Sequence, residues 1–86
     1  MFYVYILKSE KDNQLYIGST SDLKRRLLEH NSGKVQSTKP RRPFKLAYYE
    51  AYRSEDDARI RESRLKKRGN ARALLIKRVG ESIRVT

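Results

Sequence analysis

The run Phe2-Tyr3-Val4-Tyr5-Ile6-Leu7, followed after a polar stretch by Leu15-Tyr16-Ile17-Gly18, decides how the rest of the chain is read. The first segment is apolar or aromatic at every position, the pattern of a strand covered on both faces and therefore central in its sheet. Lys11-Asp12-Asn13 supplies turn chemistry, so the two segments read as an antiparallel hairpin. Side-chain direction alternates along a strand, so the register decides whether Tyr5 and Tyr16 share a face.

Beyond the hairpin, Ser21 or Asp22 caps a helix running from Leu23 to His30, and Asn31-Ser32-Gly33 stops it. Lys34 to Pro43 carries the cations Lys34, Lys39, Arg41 and Arg42 together with two prolines and reads as a basic loop. Phe44 to Tyr52 has strand-like density and is expected to cover the hairpin. Ser54 and Asp57 form a capping-box-like start to a helix through about Lys67, ended by Gly69. Asn70 is the candidate cap of a last helix, Ala71 to Val79, terminated by Gly80, with the final residues fraying. No repeat or low-complexity linker interrupts the pattern. Residues 1–86 are therefore expected to form one α/β (α+β) domain, a small three-stranded antiparallel sheet flanked by about three helices.

Lys and Arg number 21 against 10 Asp and Glu, a formal net charge of +11 whose field favours a polyanionic partner. The basic residues are spread over several segments, with no amphipathic helix pairing a lysine face with a bulky apolar one, which favours nucleic acid over membrane. The apolar runs are too short to span a bilayer and lack the flanks of a signal peptide, so a cytoplasmic protein is expected. With no cysteine, disulfides, Cys-ligated zinc and thiol nucleophiles are excluded, and any catalysis must use oxygen and nitrogen groups.

Two positions break the pattern of their helices. Leu23, Arg26, Leu27 and His30 share a core-facing stripe, yet two of the four are polar. Either Arg26 snorkels from the stripe's edge and His30 acts as a cation at the helix C-terminus, or the stripe opens into a cleft where Arg26 presents planar donors to a phosphate. Glu62 is the only carboxylate between Asp57 and Glu81, amid Arg59, Arg61, Arg64, Lys66, Lys67 and Arg68. It either pairs with Lys66 one turn on, worth roughly 0.2–0.5 kcal/mol, or lies inward with Ala58 and Leu65 and holds a hard divalent cation. Tyr3, Tyr48, Tyr49 and Tyr52 read as sheet packing with hydroxyls at the rim.

Val4-Tyr5-Ile6, Tyr16-Ile17-Gly18, Arg26, His30 and the helical Glu62, in that order, resemble the signature of the GIY-YIG nuclease superfamily. The surrounding Asp22-Leu23-Lys24-Arg25-Arg26, Glu29 to Lys34, Thr38-Lys39 and Arg42-Pro43 are similar to its small stand-alone bacterial members, and the resemblance covers nearly the whole chain. It implies a metal-dependent endonuclease with Tyr5, Tyr16, Arg26, His30 and Glu62 as catalytic residues. Glu62 would be the single carboxylate ligand of one Mg2+ or Mn2+ ion, and Lys34, Lys39, Arg41, Arg42 and Lys66 would contact DNA or RNA. Arg26 would counter charge on phosphorus, and one tyrosine would position or deprotonate the attacking water, its ionisation eased by Arg26 and His30 as cationic neighbours. The chain departs from the family heading at Val4, which replaces glycine, and at Ser19, where excision-repair relatives carry a lysine; that auxiliary cation is either missing or supplied elsewhere. Asn70 stands nearer Glu62 than the downstream asparagine of many relatives. No spare element remains to read base edges, so specificity is expected from nucleic-acid structure or a protein partner. Non-catalytic binding of structured RNA or DNA is the competing expectation.

Overall fold

Strand β1 (Phe2–Ser9) and strand β2 (Leu15–Thr20) form the expected hairpin, with Tyr5 opposite Gly18 and Leu7 opposite Tyr16. Each runs two residues beyond its apolar core. The structure, a computed structural model, describes all residues 1–86. Strand β3 (Phe44–Tyr52) is the expected third strand, and it pairs antiparallel with the other edge of β1, giving the order β2-β1-β3. Val4 to Leu7 are at most 1% exposed, and a strand buried on both faces must pair its backbone polar groups on both edges.

A bulge divides β3. Ile6 pairs with Tyr48 but Leu7 with Leu46, so Ala47 is the extra residue and the strand changes phase there. Phe44 and Leu46 consequently join Tyr5 and Leu7 on one face, while Tyr48 and Tyr52 pack with Val4 and Ile6 on the other.

Helix α1 (Leu23–Asn31) covers the first face through Leu23 and Leu27. Asp22 caps it by accepting the Arg25 N–H, and Gly33, at φ +80, turns the chain away. The basic stretch that follows holds one 3-10 turn, Lys39–Arg41, and a cis Arg42-Pro43 bond. Helix α2 (Glu55–Lys66) and helix α3 (Asn70–Arg78) cover the opposite face, where Ala58, Leu65 and Leu75 meet Val4, Ile6 and Ile17.

Several helix ends differ from expectation. Ser54 occupies the cap position of α2, but its side chain makes no capping bond; Glu55, Asp56 and Asp57 in the first turn complement the helix dipole instead. Gly69 is the cap residue of α3, because Lys67 already leaves the helix on extended backbone. Gly80 terminates nothing: Val79 bonds back to Leu75 and accepts from Ile83, so the chain re-enters a short fourth helix, α4 (Gly80–Arg84). Lys8 Nζ donates to the Ile83 carbonyl at 3.0 Å and anchors the end that was expected to fray. Tyr48 and Tyr52 do pack on the sheet, yet both hydroxyls donate to Glu50, which also accepts Arg61 Nε at 3.1 Å. No helix is long and apolar enough to cross a membrane.

Gly18 is required by packing. A Cβ there would lie 2.6 Å from Tyr5 Cζ and 3.2 Å from Tyr16 Cε2, because the Tyr5 ring lies across its partner strand. Gly18→Ala is expected to cost about 1–3 kcal/mol as an overpacking substitution, read as a lower urea midpoint at unchanged slope. A midpoint equal to the parent's would show that the ring yields freely.

Candidate active site at the sheet edge

The register settles the orientation of the tyrosines. Tyr16 lies two residues from Gly18, the partner of Tyr5, so the two side chains project from the same face, ring centroids 6.4 Å apart. α1 brings His30 between them, 5.9 Å from the Tyr5 ring and 5.0 Å from that of Tyr16.

Tyr5 and His30 are joined by a hydrogen bond of 2.9 Å between Oη and Nε2, both side chains being buried. On its other nitrogen, His30 Nδ1 lies 2.8 Å from the hydroxyl of the fully buried Thr38. That hydroxyl donates in turn to the Val35 carbonyl at 3.4 Å, leaving its lone pairs to accept. The chain of donors therefore runs one way: Nδ1–H donates to Thr38, and bare Nε2 accepts the Tyr5 hydroxyl.

Burial, reinforced by the positive charge of Arg26 and only partly opposed by Glu29, pulls the His30 pKa from 6.5 to about 4. The imidazole is thus neutral near pH 7, and His30 is neither a dipole-complementing cation nor one of the cationic neighbours expected beside the tyrosines. Burial likewise pushes Tyr5 up to about 12, although the adjacent Arg26 guanidinium opposes the rise. Tyr5 is a phenol that donates.

Glu62 arrives from the other side of edge strand β2. Ser19 Oγ donates to its Oε1 at 2.6 Å and Lys66 Nζ to its Oε2 at 2.8 Å. Burial disfavours its ionised form, but these two bonds outweigh burial and hold the carboxyl below its ordinary value. The same Lys66 lies over the Tyr16 ring, 5.7 Å from its centroid, and links the two halves of the site. The expected pair with Lys66 is present, and Glu62 is half-buried on the helix that buries Ala58 and Leu65.

Arg26, about one third exposed, reaches the site from α1 and is held by Glu29 at 3.1 Å. Among the expected nucleic-acid contacts, Lys34, Lys39, Arg42 and Lys66 are exposed. Arg41 is not a free cation: Nε binds Asp12 at 2.9 Å, the guanidinium lies over Phe44, and one terminal nitrogen is buried without a partner. Its role is to hold the β1–β2 turn against the basic stretch. The sequence reading gave Thr38 no role and noted Ser19 only for the cation it lacks, whereas their hydroxyls bond His30 and Glu62. Only a hydroxyl in an otherwise basic segment hinted at the first.

The site is open. None of the clefts is lined by Tyr16, Arg26 or Glu62; the largest, about 530 Å³, lies between α1 and β3 against Tyr3, Leu46 and Tyr49. Small substrates are usually enclosed in concave pockets, whereas a polymer backbone can lie along an exposed edge.

These features define a class. The chain belongs to the GIY-YIG family, whose catalytic-domain model matches residues 1–74. It belongs with the UPF0213 proteins: one from Staphylococcus haemolyticus is 46% identical over 65 residues, covering 74% of this chain and 78% of the relative. A UPF0213 protein from Streptococcus pneumoniae is 42% identical over 67 residues, 77% of this chain and 67% of the relative. The solution NMR structure of a UPF0213 protein from Bacillus halodurans superimposes with a TM-score of 0.55 at 33% identity, covering 92% of this chain and 85% of that one.

The buried His30 links stability to pH. Its folded pKa lies below the unfolded value, so its full contribution is present above pH 6.5 and is lost as pH falls toward about 4, a loss of about 3 kcal/mol. Denaturant melts between those limits, compared with His30→Gln, measure it. A His30→Gln variant with the parent's pH slope would assign the effect to other groups. Thr38→Val should cost about 1–3 kcal/mol by stranding Nδ1–H and alter the imidazole nitrogen NMR shifts, while Thr38→Ser keeps both near the parent.

Proposed function

We propose that the protein binds a nucleic-acid backbone along this edge and hydrolyses a phosphodiester there. The observation that supports the reading is that Arg26, Tyr16 and Glu62, from three different elements, all lie close enough to act on Tyr5, which is held in the buried Tyr5–His30–Thr38 chain. A net charge of +11 supplies the attraction to phosphates.

No group of three His, Cys, Asp or Glu side chains forms a cation cage. Glu62 nevertheless fits a hard divalent ion, since Mg2+ keeps most of its water and often takes only one or two carboxylates together with substrate phosphate. Its carboxylate is ionised and partly exposed, and the Lys66 at Oε2 is a half-exposed ammonium on a flexible stem. Bound there, Mg2+ or Mn2+ would supply Lewis-acid polarisation of the phosphate and stabilise the leaving oxygen.

The chain's own residues divide the remaining work. Arg26 offers a planar fork to non-bridging oxygens as charge builds on them. Tyr16 is the tyrosine that solvent reaches, and it positions the attacking water. Tyr5, buried and donating to neutral His30, is unsuited to take a proton from water near pH 7; it fixes the back wall of the site and orients its oxygen toward Arg26. The contacts proposed here are all to the backbone, so substrate choice follows nucleic-acid shape or a protein partner.

A second reading, binding without hydrolysis, is favoured by the ion pair that occupies Glu62 and by the lack of a second acid beside it. Labelled duplex, single-stranded and branched DNA and structured RNA, incubated with and without Mg2+ or Mn2+, separate the two. Wild type is expected to nick only with metal, Glu62→Gln to bind at least as well as wild type in the absence of metal but not cleave, and Arg26→Lys to lose on the order of 10²–10³-fold in turnover. Tight binding that leaves every substrate whole would make the binding reading the correct one.

A further inference from the structure

Lys66 occupies an unusual position for a helix-surface cation. Its Nζ is 2.8 Å from Glu62 Oε2, while Ser19 takes Oε1, so both oxygens of the candidate ligand are engaged. The Lys66 side chain is nevertheless 48% exposed, against 21% for Glu62, and rides over the rim tyrosine Tyr16. Arg59 also acts on Glu62, but it is paired with Glu55 at 3.4 Å.

A divalent ion and an ammonium group cannot share Oε2 without strong repulsion. A lysine ammonium on a flexible four-carbon stem can move to a nearby anion, and a nucleic-acid backbone along this edge provides one. We propose that Lys66 is a resident counter-ion: it neutralises Glu62 in the free protein and transfers to a phosphate when nucleic acid binds, making cation loading depend on nucleic acid. This rests on the reading of Glu62 as the cation ligand. Because binding couplings are reciprocal, the cation must strengthen nucleic-acid binding by the same factor that nucleic acid strengthens cation binding.

The test is Mn2+ binding to the full chain, followed by the electron paramagnetic resonance signal of free ion. Wild type, Lys66→Met, Lys67→Met and Glu62→Gln are titrated alone and with a short DNA duplex shown by gel to be intact afterwards, subtracting ion held by DNA alone. Lys66→Met should bind Mn2+ on the order of tenfold more tightly than wild type without DNA. DNA, whose phosphate is itself a ligand, should raise the affinity of both, but that of wild type by a similar factor more than that of Lys66→Met, while Lys67→Met, an equal change in charge, behaves as wild type. Equal shifts in the two lysine variants, or no shift in Lys66→Met, overturn the counter-ion role and leave Glu62 as ligand. Mn2+ binding by Glu62→Gln that matches wild type overturns the ligand assignment as well.

Discussion

The hydrogen bond from Tyr5 to His30 ties the central strand to the only helix on its face, across 25 positions of sequence. It is a constraint as much as an attraction, because a buried imidazole and a buried phenol must each find a partner or be stranded. Satisfying both fixes the depth of α1 on the sheet and hence the place of Arg26 one turn earlier. Thr38 completes the arrangement by dictating which nitrogen carries the proton, and so draws the basic stretch into the same unit. Gly18 is the other half of this constraint, since only a residue without a side chain lets the Tyr5 ring lie across β2.

Much of this was legible in the chain. The apolar run of β1 announced a central strand, and the polar pair on the stripe of α1 announced that this face was more than core. The lone acid of α2 stood out because its neighbours are almost all basic. Other features depend on information no local pattern carries. β3 was recognised as the third strand of the sheet, but the bulge at Ala47 that changes the phase of its side chains left no mark in its apolar residues. Gly80 looked like a helix end because glycine often is one, but the contact from Lys8 and the packing of Val79 continue the chain instead. His30 was read as a cation because a surface histidine near a helix C-terminus would be one; its burial, set by residues distant in sequence, reverses that. Arg41 counted as a free positive charge until the β1–β2 turn supplied Asp12.

The two faces of the sheet serve different ends. The face under α2 and α3 holds the larger apolar cluster and the Glu50 network, in which two tyrosines and Arg61 share one carboxylate. The face under α1 is smaller, more aromatic and polar at its centre. β2 lies at the boundary, and because it is an edge strand, groups from both faces can meet around it. A central strand would have kept Tyr16 and Glu62 apart.

That same edge carries a hazard. An unpaired strand border invites another chain to extend the sheet, and proteins commonly guard such borders with charge. Here the guard is distributed: a molecule with an excess of eleven positive charges repels its own copies before their edges can align. Protection of this kind is only as long-ranged as the ionic atmosphere allows, with a screening length of about 8 Å at physiological salt. Colloidal stability and attraction to polyanions thus draw on one property, so a chain with fewer lysines would weaken both together.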